Sequence, residues 1–208
     1  MIKSESITFS YDGIHTFNFP DIHLQKGENV LILGESGVGK TTLIQILAGL
    51  LPPLSGSLEL DGVNYHDLAS NELDHFRGKH IGMVFQRPHF VRNISIMDNL
   101  LLSLYLSKNK EDKQRATELL EQMGLGHKLN SKPDELSQGE QQRAAIALAV
   151  IKNPGLILAD EPTSSLDDTN CQKTTTLLKE QAASTNAQLI IITHDQRLKN
   201  QFNNSITL

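Results

Sequence analysis

The feature that most constrains this chain is an apolar run that ends in a glycine-rich turn. The run VLIL (residues 30–33) predicts a buried strand, and GESGVGKTT follows it directly over residues 34–42. Apolar side chains then recur at helical spacing over residues 41–50. A strand, a glycine-rich turn and a helix in this order are typical of α/β folds that hold an anion at the start of the helix.

The turn matches the phosphate-binding P-loop pattern, G-x-x-x-x-G-K-[ST], through Gly34, Gly39, Lys40 and Thr41. Glycines let consecutive backbone N–H groups face one anion, and the start of the helix adds about +0.5 charge. Lys40 is placed to reach the β and γ phosphates. The hydroxyl of Thr41 is placed to bind Mg²⁺, and that of Thr42 to bind phosphate. The motif therefore predicts binding of a nucleoside triphosphate.

A second motif is LILADEP, residues 156–162, in which an apolar strand ends in two adjacent acids. Successive side chains of a strand point to opposite faces, so Asp160 and Glu161 are expected to have different roles. One acid can hold the Mg²⁺ shell while its neighbour orients or deprotonates the attacking water. Two acids at a solvated strand end are also common in α/β proteins. The P-loop favours the functional interpretation, because Mg²⁺ needs a carboxylate opposite Thr41.

A third motif is LSQGEQQR, residues 136–143. Ser137 and Gly139 precede a strong helical pattern, so they form a second helix N-terminus that suits an anion. The alternative is an ordinary serine cap with Glu140 in a capping box, and the motif taken alone favours that alternative.

The pattern of apolar runs predicts an α/β fold with one inserted segment. Near-continuous apolar strands suit a parallel sheet that is covered on both faces. The clearest strands are SLEL (57–60), VLIL, IGMVF (81–85), LILA (156–159) and LIIIT (189–193), and the clearest helices cover 41–50, 113–123, 139–152 and 168–183. We therefore expect one domain over residues 1–208, with a core of about 1–86 and 154–208 and a helical lobe of about 87–153.

Composition narrows the class of protein. The net charge of −5 argues against a nucleic-acid partner, which usually meets a basic face. The single cysteine, Cys171, excludes an internal disulfide and fits a reducing compartment. No apolar run approaches the ~20 residues of a membrane span, and the first residues do not resemble a secretory signal. We expect a cytoplasmic protein, unless another protein holds it at a membrane.

Together the motifs resemble those of the ATP-binding-cassette (ABC) ATPases, over essentially the whole chain and in the same order. GESGVGKT resembles the Walker A loop, LSQGE the LSGGQ signature, LILADEP the Walker B strand, and SSLD (164–167) the D-loop. Gln86 resembles the Q-loop glutamine, His194 in ITHD the switch histidine, and Tyr11 the aromatic residue that stacks on adenine. The departures are small: Gln138 replaces a glycine, Glu140 a glutamine and Ser165 an alanine.

The resemblance implies a mainly parallel core sheet flanked by helices, with an antiparallel β edge and an inserted helical lobe. It also implies hydrolysis of ATP with Mg²⁺. Catalytic roles fall on Glu161, His194, Gln86 and Lys40, and metal binding on Thr41, Gln86 and Asp160. The residues expected to bind nucleotide are Tyr11, Gly34, Glu35, Ser36, Gly37, Val38, Gly39, Lys40, Thr41, Thr42, Gln86, Ser137, Gly139 and Asp160.

The resemblance implies partners as well. In the family two cassettes enclose two ATP molecules, so Ser137 and Gly139 are expected to meet the ATP of a second copy. A homodimer is the simplest arrangement, and a heterodimer with a different cassette stays open. Separate integral membrane permease subunits are expected to dock after Gln86. Phe90 and Val91 are candidates for that groove, whereas Ile94 and Ile96 are expected to be core.

The segments SKPDELSQGE, IGMVFQ and LADEPTSSLD most resemble the lipoprotein-release, macrolide-export and cell-division group of the family. That group implies a peripheral protein on the cytoplasmic face of the plasma (inner) membrane. The alternative is a non-transport ABC ATPase that regulates or assembles a partner complex, of the iron–sulfur assembly or cell-division type. The segment between Gln86 and Leu136 is too short for the long coiled coil of the DNA-repair relatives. The sequence does not indicate the cargo.

Overall fold

The computed structural model describes residues 1–164 and 166–208. Its strands lie mainly in the first and last parts of the chain, with three successive helices between them. In chain order they are β1 (Ile2–Phe9), β2 (Phe17–Asn18), β3 (Ile22–Leu24), β4 (Asn29–Leu33), α1 (Lys40–Leu47), β5 (Ser55–Leu60), β6 (Val63–Asn64), α2 (Ser70–His80), β7 (Ile81–Val84), α3 (Ile96–Leu106), α4 (Lys113–Gln122), α5 (Gln138–Val150), β8 (Leu156–Asp160), α6 (Asp168–Thr185), β9 (Gln188–Thr193) and β10 (Ser205–Thr207), with short 3₁₀ turns between them.

A five-stranded parallel sheet forms the centre, in the order β10-β4-β9-β8-β7. Neighbouring residues of β4 enter opposite cores, because side chains alternate along a strand. Val30 and Ile32 pack with α1, whereas Leu31 and Leu33 join the cluster formed by α3 to α6. The sheet is thus covered on both faces, and the predicted α/β class with a mainly parallel core sheet is confirmed.

The other five strands form an antiparallel sheet, in which β1 pairs with β2, β3 and β5, and β5 pairs with β6. The run SLEL, expected among the parallel strands, lies in β5, with Leu58 opposite Ser4 and Leu60 opposite Ile2. That expectation was wrong because Ser57 and Glu59 alternate with the buried leucines. Such alternation is typical of a half-buried antiparallel strand. The expected antiparallel edge is therefore a complete second sheet.

Between β7 and β8 the described elements are α3, α4, α5 and 3₁₀ turns. Helix α5 packs directly on β7, so its last turns belong to the same core cluster as the central sheet. The division into an α/β core and a lobe of about 87–153 stays a prediction. Within the described ranges, no helix has the length and apolarity to cross a membrane.

The contact between α5 and β7 depends on a glycine. A Cβ added at Gly82 would lie 2.4 Å from the carbonyl oxygen of Ala149 and 3.0 Å from Pro154 Cγ. We expect Gly82→Ala to lower the free energy of unfolding by about 1–3 kcal/mol, because α5 must move away from the sheet. Urea unfolding followed by circular dichroism measures this change.

Gly78→Ala is the matched control. Gly78 lies in α2, and an added Cβ there meets nothing within 4 Å. Alanine should therefore stabilise α2 by about 0.5–1 kcal/mol. Equal unfolding midpoints for the two variants would contradict the proposed close packing at Gly82.

Candidate nucleotide site

The P-loop joins β4 to α1 through a tight turn over residues 34–39. Gly37 and Gly39 have φ angles of +88° and +97°, in the region that side chains rarely enter. A Cβ at Gly39 would also lie 2.9 Å from the ring of Phe17. Both glycines are therefore required by the backbone, and α1 begins at the next residue, Lys40.

The side chain of Lys40 lies within the loop. Its Nζ donates to the carbonyl oxygens of Gly34 (2.9 Å) and Glu35 (2.7 Å) and lies 3.6 Å from Glu161 Oε1. Only 9% of the side chain is exposed. A largely desolvated ammonium group thus faces the place where a phosphate would enter.

Asp160, at the end of β8, faces the first turn of α1. Thr41 Oγ1 donates to Asp160 Oδ2 at 3.4 Å, and Asp160 Oδ1 is buried without a hydrogen-bond partner among the described residues. Burial, and secondly the charge of Glu161, raise the pKa of Asp160. Mg²⁺ is usually bound by oxygen atoms, from one or two carboxylates and from substrate phosphates. The Thr41 hydroxyl and the unsatisfied Asp160 oxygen provide such ligands. The residues therefore fit the metal that the P-loop implies.

Glu161 has a different set of partners from Asp160. Its Oε2 accepts from Thr193 Oγ1 at 2.6 Å, and its Oε1 lies 2.8 Å from His194 Nδ1. Its φ of +48° is unusual for a residue with a side chain, a conformation that costs about 1–3 kcal/mol. The hydrogen bonds fix the carboxylate of Glu161, whose Oε1 lies 3.6 Å from Lys40 Nζ.

These groups surround one open cavity of about 860 Å³. It brings together the P-loop, the end of β8 and the turn after β9. Its lining residues are Tyr11, Phe17, Glu35, Ser36, Gly37, Gly39, Lys40, Thr41, Thr42, Gln86, Glu161 and His194. The predicted residues Gly34, Val38 and Asp160 do not line the cavity. Gly34 and Val38 are next to lining residues in sequence, and Asp160 is hydrogen-bonded to the lining residue Thr41.

Aromatic rings form one side of the cavity. Tyr11, predicted to stack on adenine, is 67% exposed, and its Oη lies 3.0 Å from Thr42 Oγ1. The ring meets Phe9 edge-on at 4.8 Å between centroids, and Phe17 at 6.3 Å. An exposed ring beside the P-loop suits stacking on a base.

Gln86 follows β7 and is exposed at the cavity. Its Nε2 donates to Ser164 Oγ at 3.3 Å, and Ser164 in turn bonds the carbonyl oxygen of Glu161. Among the described residues no hydrogen bond joins Gln86 to Thr41 or Asp160, so its expected role at the metal stays a prediction.

Ser137 and Gly139 do not line this cavity. Ser137 caps α5, and Glu140 completes a capping box, as the structural alternative for this motif predicted. Gln138 is the first residue of α5 and has an ordinary helical conformation, so its side chain introduces no strain. A Cβ at Gly139 would meet only Arg143 Nη1, at 3.6 Å. Packing of the described residues therefore does not account for a glycine there.

Several site residues were not predicted from the sequence. Phe17 lines the cavity, Thr193 binds Glu161, and Ser164 bonds Gln86. The position of Thr193 beside His194 in ITHD was a usable signal. Phe17 had none, because only the fold brings it to Gly39. The predicted site residues themselves stay predictions of function.

Comparison with known proteins identifies the family. The family described as ABC transporter matches residues 17–164. The chain belongs to this family. The cassette is 39% identical over 200 residues to the lipoprotein-releasing system ATP-binding protein LolD of Bacteroides fragilis, covering 95% of this chain and 93% of that protein. It is 40% identical over 189 residues to LolD of Pseudomonas syringae, covering 90% and 83%.

Solved structures agree with this assignment. A dimeric post-hydrolysis state of the ATP-binding cassette MJ0796, bound to ADP and Pi, matches with a TM-score of 0.89 and 32% identity, over 100% of this chain and 94% of that one. The cassette cbiO1 of Clostridium perfringens, part of the ABC transporter complex cbiONQ, matches with a TM-score of 0.86 and 28% identity, over 99% and 83%. The chain is thus an ABC ATPase of the lipoprotein-release group, an ATP-binding and hydrolysing subunit of a transporter system that powers a membrane permease.

Removing the Lys40 ammonium tests the phosphate site. We expect Lys40→Ala to weaken ATP binding by about 10- to 100-fold, since a hydrogen bond to a charged group contributes about 1.5–3 kcal/mol. Fluorescence titration with a labelled ATP measures this. Lys3→Ala, which removes a half-buried cation on β1 that pairs with Glu5, is the control and should leave affinity unchanged. Equal affinity in both variants would contradict a phosphate-binding role for Lys40.

Proposed function

We propose that two copies of this cassette close on two ATP molecules with Mg²⁺ and thereby drive a separate lipoprotein-release-type permease. The observation that supports this best is the single cavity where Lys40, Glu161 and His194 meet the P-loop. The signature residues Ser137 and Gly139 lie outside that cavity, so a second copy would have to supply them to each ATP.

Binding begins with an exchange of partners. The N–H groups of residues 37–42 take the phosphates, and Lys40 leaves the carbonyl oxygens of Gly34 and Glu35 for phosphate oxygens. This exchange is favourable because a hydrogen bond between two ionised groups is stronger than one to a neutral carbonyl. Tyr11 and Phe17 face the base.

Thr41 and Asp160 would hold Mg²⁺, with Gln86 beside them. When bound, the ion neutralises charge on the β and γ phosphates. Asp160 Oδ1, buried and without a hydrogen-bond partner among the described residues, supplies the carboxylate oxygen for it.

Glu161 accepts the proton of the attacking water and orients it toward the γ-phosphate. Thr193 and the backbone N–H of His194 fix the carboxylate, so little reorganisation precedes the reaction. His194 forms a hydrogen bond through Nδ1 with Glu161. Its other ring nitrogen, Nε2, is then left to contact the γ-phosphate in the cavity. His194 is 59% exposed, so the ring is accessible to a bound nucleotide.

The dimer explains the glycine at position 139. Gly139 lies in the first turn of α5, where N–H groups point out of the helix and favour an anion. Since the described chain leaves room for a Cβ there, we attribute the glycine to close approach of a phosphate from the facing copy.

The permease is expected on the groove that contains Phe90 and Val91. The groove encloses about 650 Å³, and Val91, as expected for a groove residue, is 47% exposed. Ile96 is fully buried in the core, whereas Ile94 is half-buried and belongs to neither core cluster, so the core prediction for Ile94 was wrong. Lys152 lines the groove without an ion-pair partner among the described residues, and burial lowers its pKa to about 8. An amphipathic helix with an acidic residue, presented by the permease at the cytoplasmic face of the inner membrane, would complement this groove.

Blocking hydrolysis should trap the closed dimer. We expect Glu161→Gln to bind ATP, elute as a dimer with ATP and Mg²⁺, and hydrolyse at least ~100-fold more slowly, because the amide cannot accept the proton. Size-exclusion chromatography with light scattering and a phosphate-release assay measure both properties. Turnover equal to the unsubstituted protein would show that Glu161 is not the base.

The groove is tested by substitution. Val91→Glu should abolish stimulation of ATP hydrolysis by the permease while leaving basal turnover unchanged, because a carboxylate would be buried in an apolar contact. Leu54→Glu, at a 67% exposed position outside the groove, should retain stimulation.

The partner itself is identified by purifying tagged Glu161→Gln from detergent-solubilised membranes in ATP. A multi-span protein in stoichiometric amount supports the proposal. Recovery with soluble proteins only would overturn it in favour of an assembly ATPase.

A further inference from the structure

Arg197 joins two loops that border the active cavity. It lies in the 3₁₀ turn after β9. Its side chain donates two hydrogen bonds to Asp195, from Nε to Oδ1 at 2.9 Å and from Nη2 to Oδ2 at 2.7 Å. Both Nη atoms also lie 3.3 Å from the carbonyl oxygen of Leu166, in the SSLD segment. The third residue that Arg197 binds is Asp168, which accepts from Nη1 at 2.6 Å.

Asp195 links this arginine to the catalytic pair. It directly follows His194, its backbone N–H donates to Thr193 Oγ1 at 3.0 Å, and Thr193 Oγ1 donates to Glu161 Oε2 at 2.6 Å. Arg197 is therefore linked to the carboxylate proposed as the base through the side chain and the backbone N–H of Asp195 and then through the hydroxyl of Thr193.

The other end of the network is also fixed. Thr163, fully buried, donates from Oγ1 to Asp195 Oδ2 at 3.0 Å, and its carbonyl oxygen accepts from the N–H of Leu166 at 3.0 Å. Asp195 thus holds Thr163, which lies directly before the SSLD segment, while Arg197 holds the carbonyl of Leu166 within it. The arginine lowers the pKa of Asp195 to about 2, so the ion pair persists at physiological pH.

We propose that Arg197 is a positioning residue, which couples the SSLD segment to the turn that carries His194. This inference rests on the proposed function, in which Glu161 and His194 act on ATP and a second copy closes against the first. A shift of the segment on closure then reaches Asp195 through Arg197, and sets the Glu161–His194 pair. Arg197 itself touches no reacting atom.

The contact set favours positioning over surface stabilisation. Asp195 is only 8% exposed, whereas Asp168 is 84% exposed, so the pair with Asp168 contributes little. A guanidinium group can bind both carboxylate oxygens and the carbonyl of Leu166 at once. Lysine has a single ammonium centre and cannot reproduce this geometry, so Arg197→Lys is an informative change.

The experiment compares turnover with binding. We expect Arg197→Gln to lower kcat by about 10- to 100-fold, because small misplacements of catalytic groups have effects of that size. KM and the Kd for a labelled ATP should change less than about twofold, since the P-loop is untouched. Arg197→Lys should lie between, and Asp168→Asn should match the unsubstituted protein.

Arg115→Gln is the matched control for loss of an arginine. Arg115 also donates to a backbone carbonyl, that of Ile151, but neither residue lines the cavity. It should retain kcat even if its melting temperature falls. All assays are run well below each melting temperature, so that unfolding does not contribute.

Unchanged kcat in Arg197→Gln, or kcat and ATP affinity falling together, would overturn the proposal. Arg197 would then only stabilise the fold. Glu161→Gln and His194→Ala are measured in parallel. If neither of these lowers kcat, the proposed catalytic assignment fails, whatever Arg197 does. If both lower it and Arg197→Gln does not, only the positioning role fails.

Discussion

The site depends on the strand order of the parallel sheet. Strand β9 lies between β4 and β8, with Thr193 opposite Leu33 and Ile192 opposite Asp160. Parallel strands present their carboxyl ends at one edge, where α/β proteins bind ligands. The P-loop, the acid pair and the histidine turn therefore converge although they lie far apart in sequence. No contact within one segment alone could create the cavity.

Much of this was predictable because the local chemistry is specific. The P-loop needs positive φ at Gly37 and Gly39, and glycine is the residue that adopts it readily. Four strands of the parallel sheet were identifiable by their continuous apolar character, namely those at 30–33, 81–85, 156–159 and 189–193. Because neighbouring side chains of a strand point to opposite faces, Asp160 and Glu161 were expected to have separate partners. In each case a rule about a few neighbouring residues determined the outcome.

The other features could not be predicted, because they depend on contacts between residues that are far apart in sequence. The antiparallel pairing of SLEL depends on β1, whose own pattern carried little signal. The side chain of Glu161, a residue in the left-handed conformation, is held by Thr193 and His194, which lie 32 and 33 residues away. Arg197 had no motif to mark it, since its proposed role depends on the fold, which brings Asp195 and the carbonyl oxygen of Leu166 to the same guanidinium group. Long-range hydrogen bonds, rather than propensities, define these features.

Charge in the cavity supports the proposal that two copies act together on each ATP. Among the described residues that line it, Lys40 is the only lysine or arginine, and it faces Glu161 and lies close to Asp160. The ammonium group of Lys40 is thus paired with a carboxylate before a nucleotide enters. The phosphates must then be neutralised by backbone N–H groups, the dipole of α1 and a metal ion. In the proposed dimer, a second helix N-terminus, α5 of the facing copy, would add positive potential where charge accumulates in the transition state, and closure of the dimer would thereby promote hydrolysis.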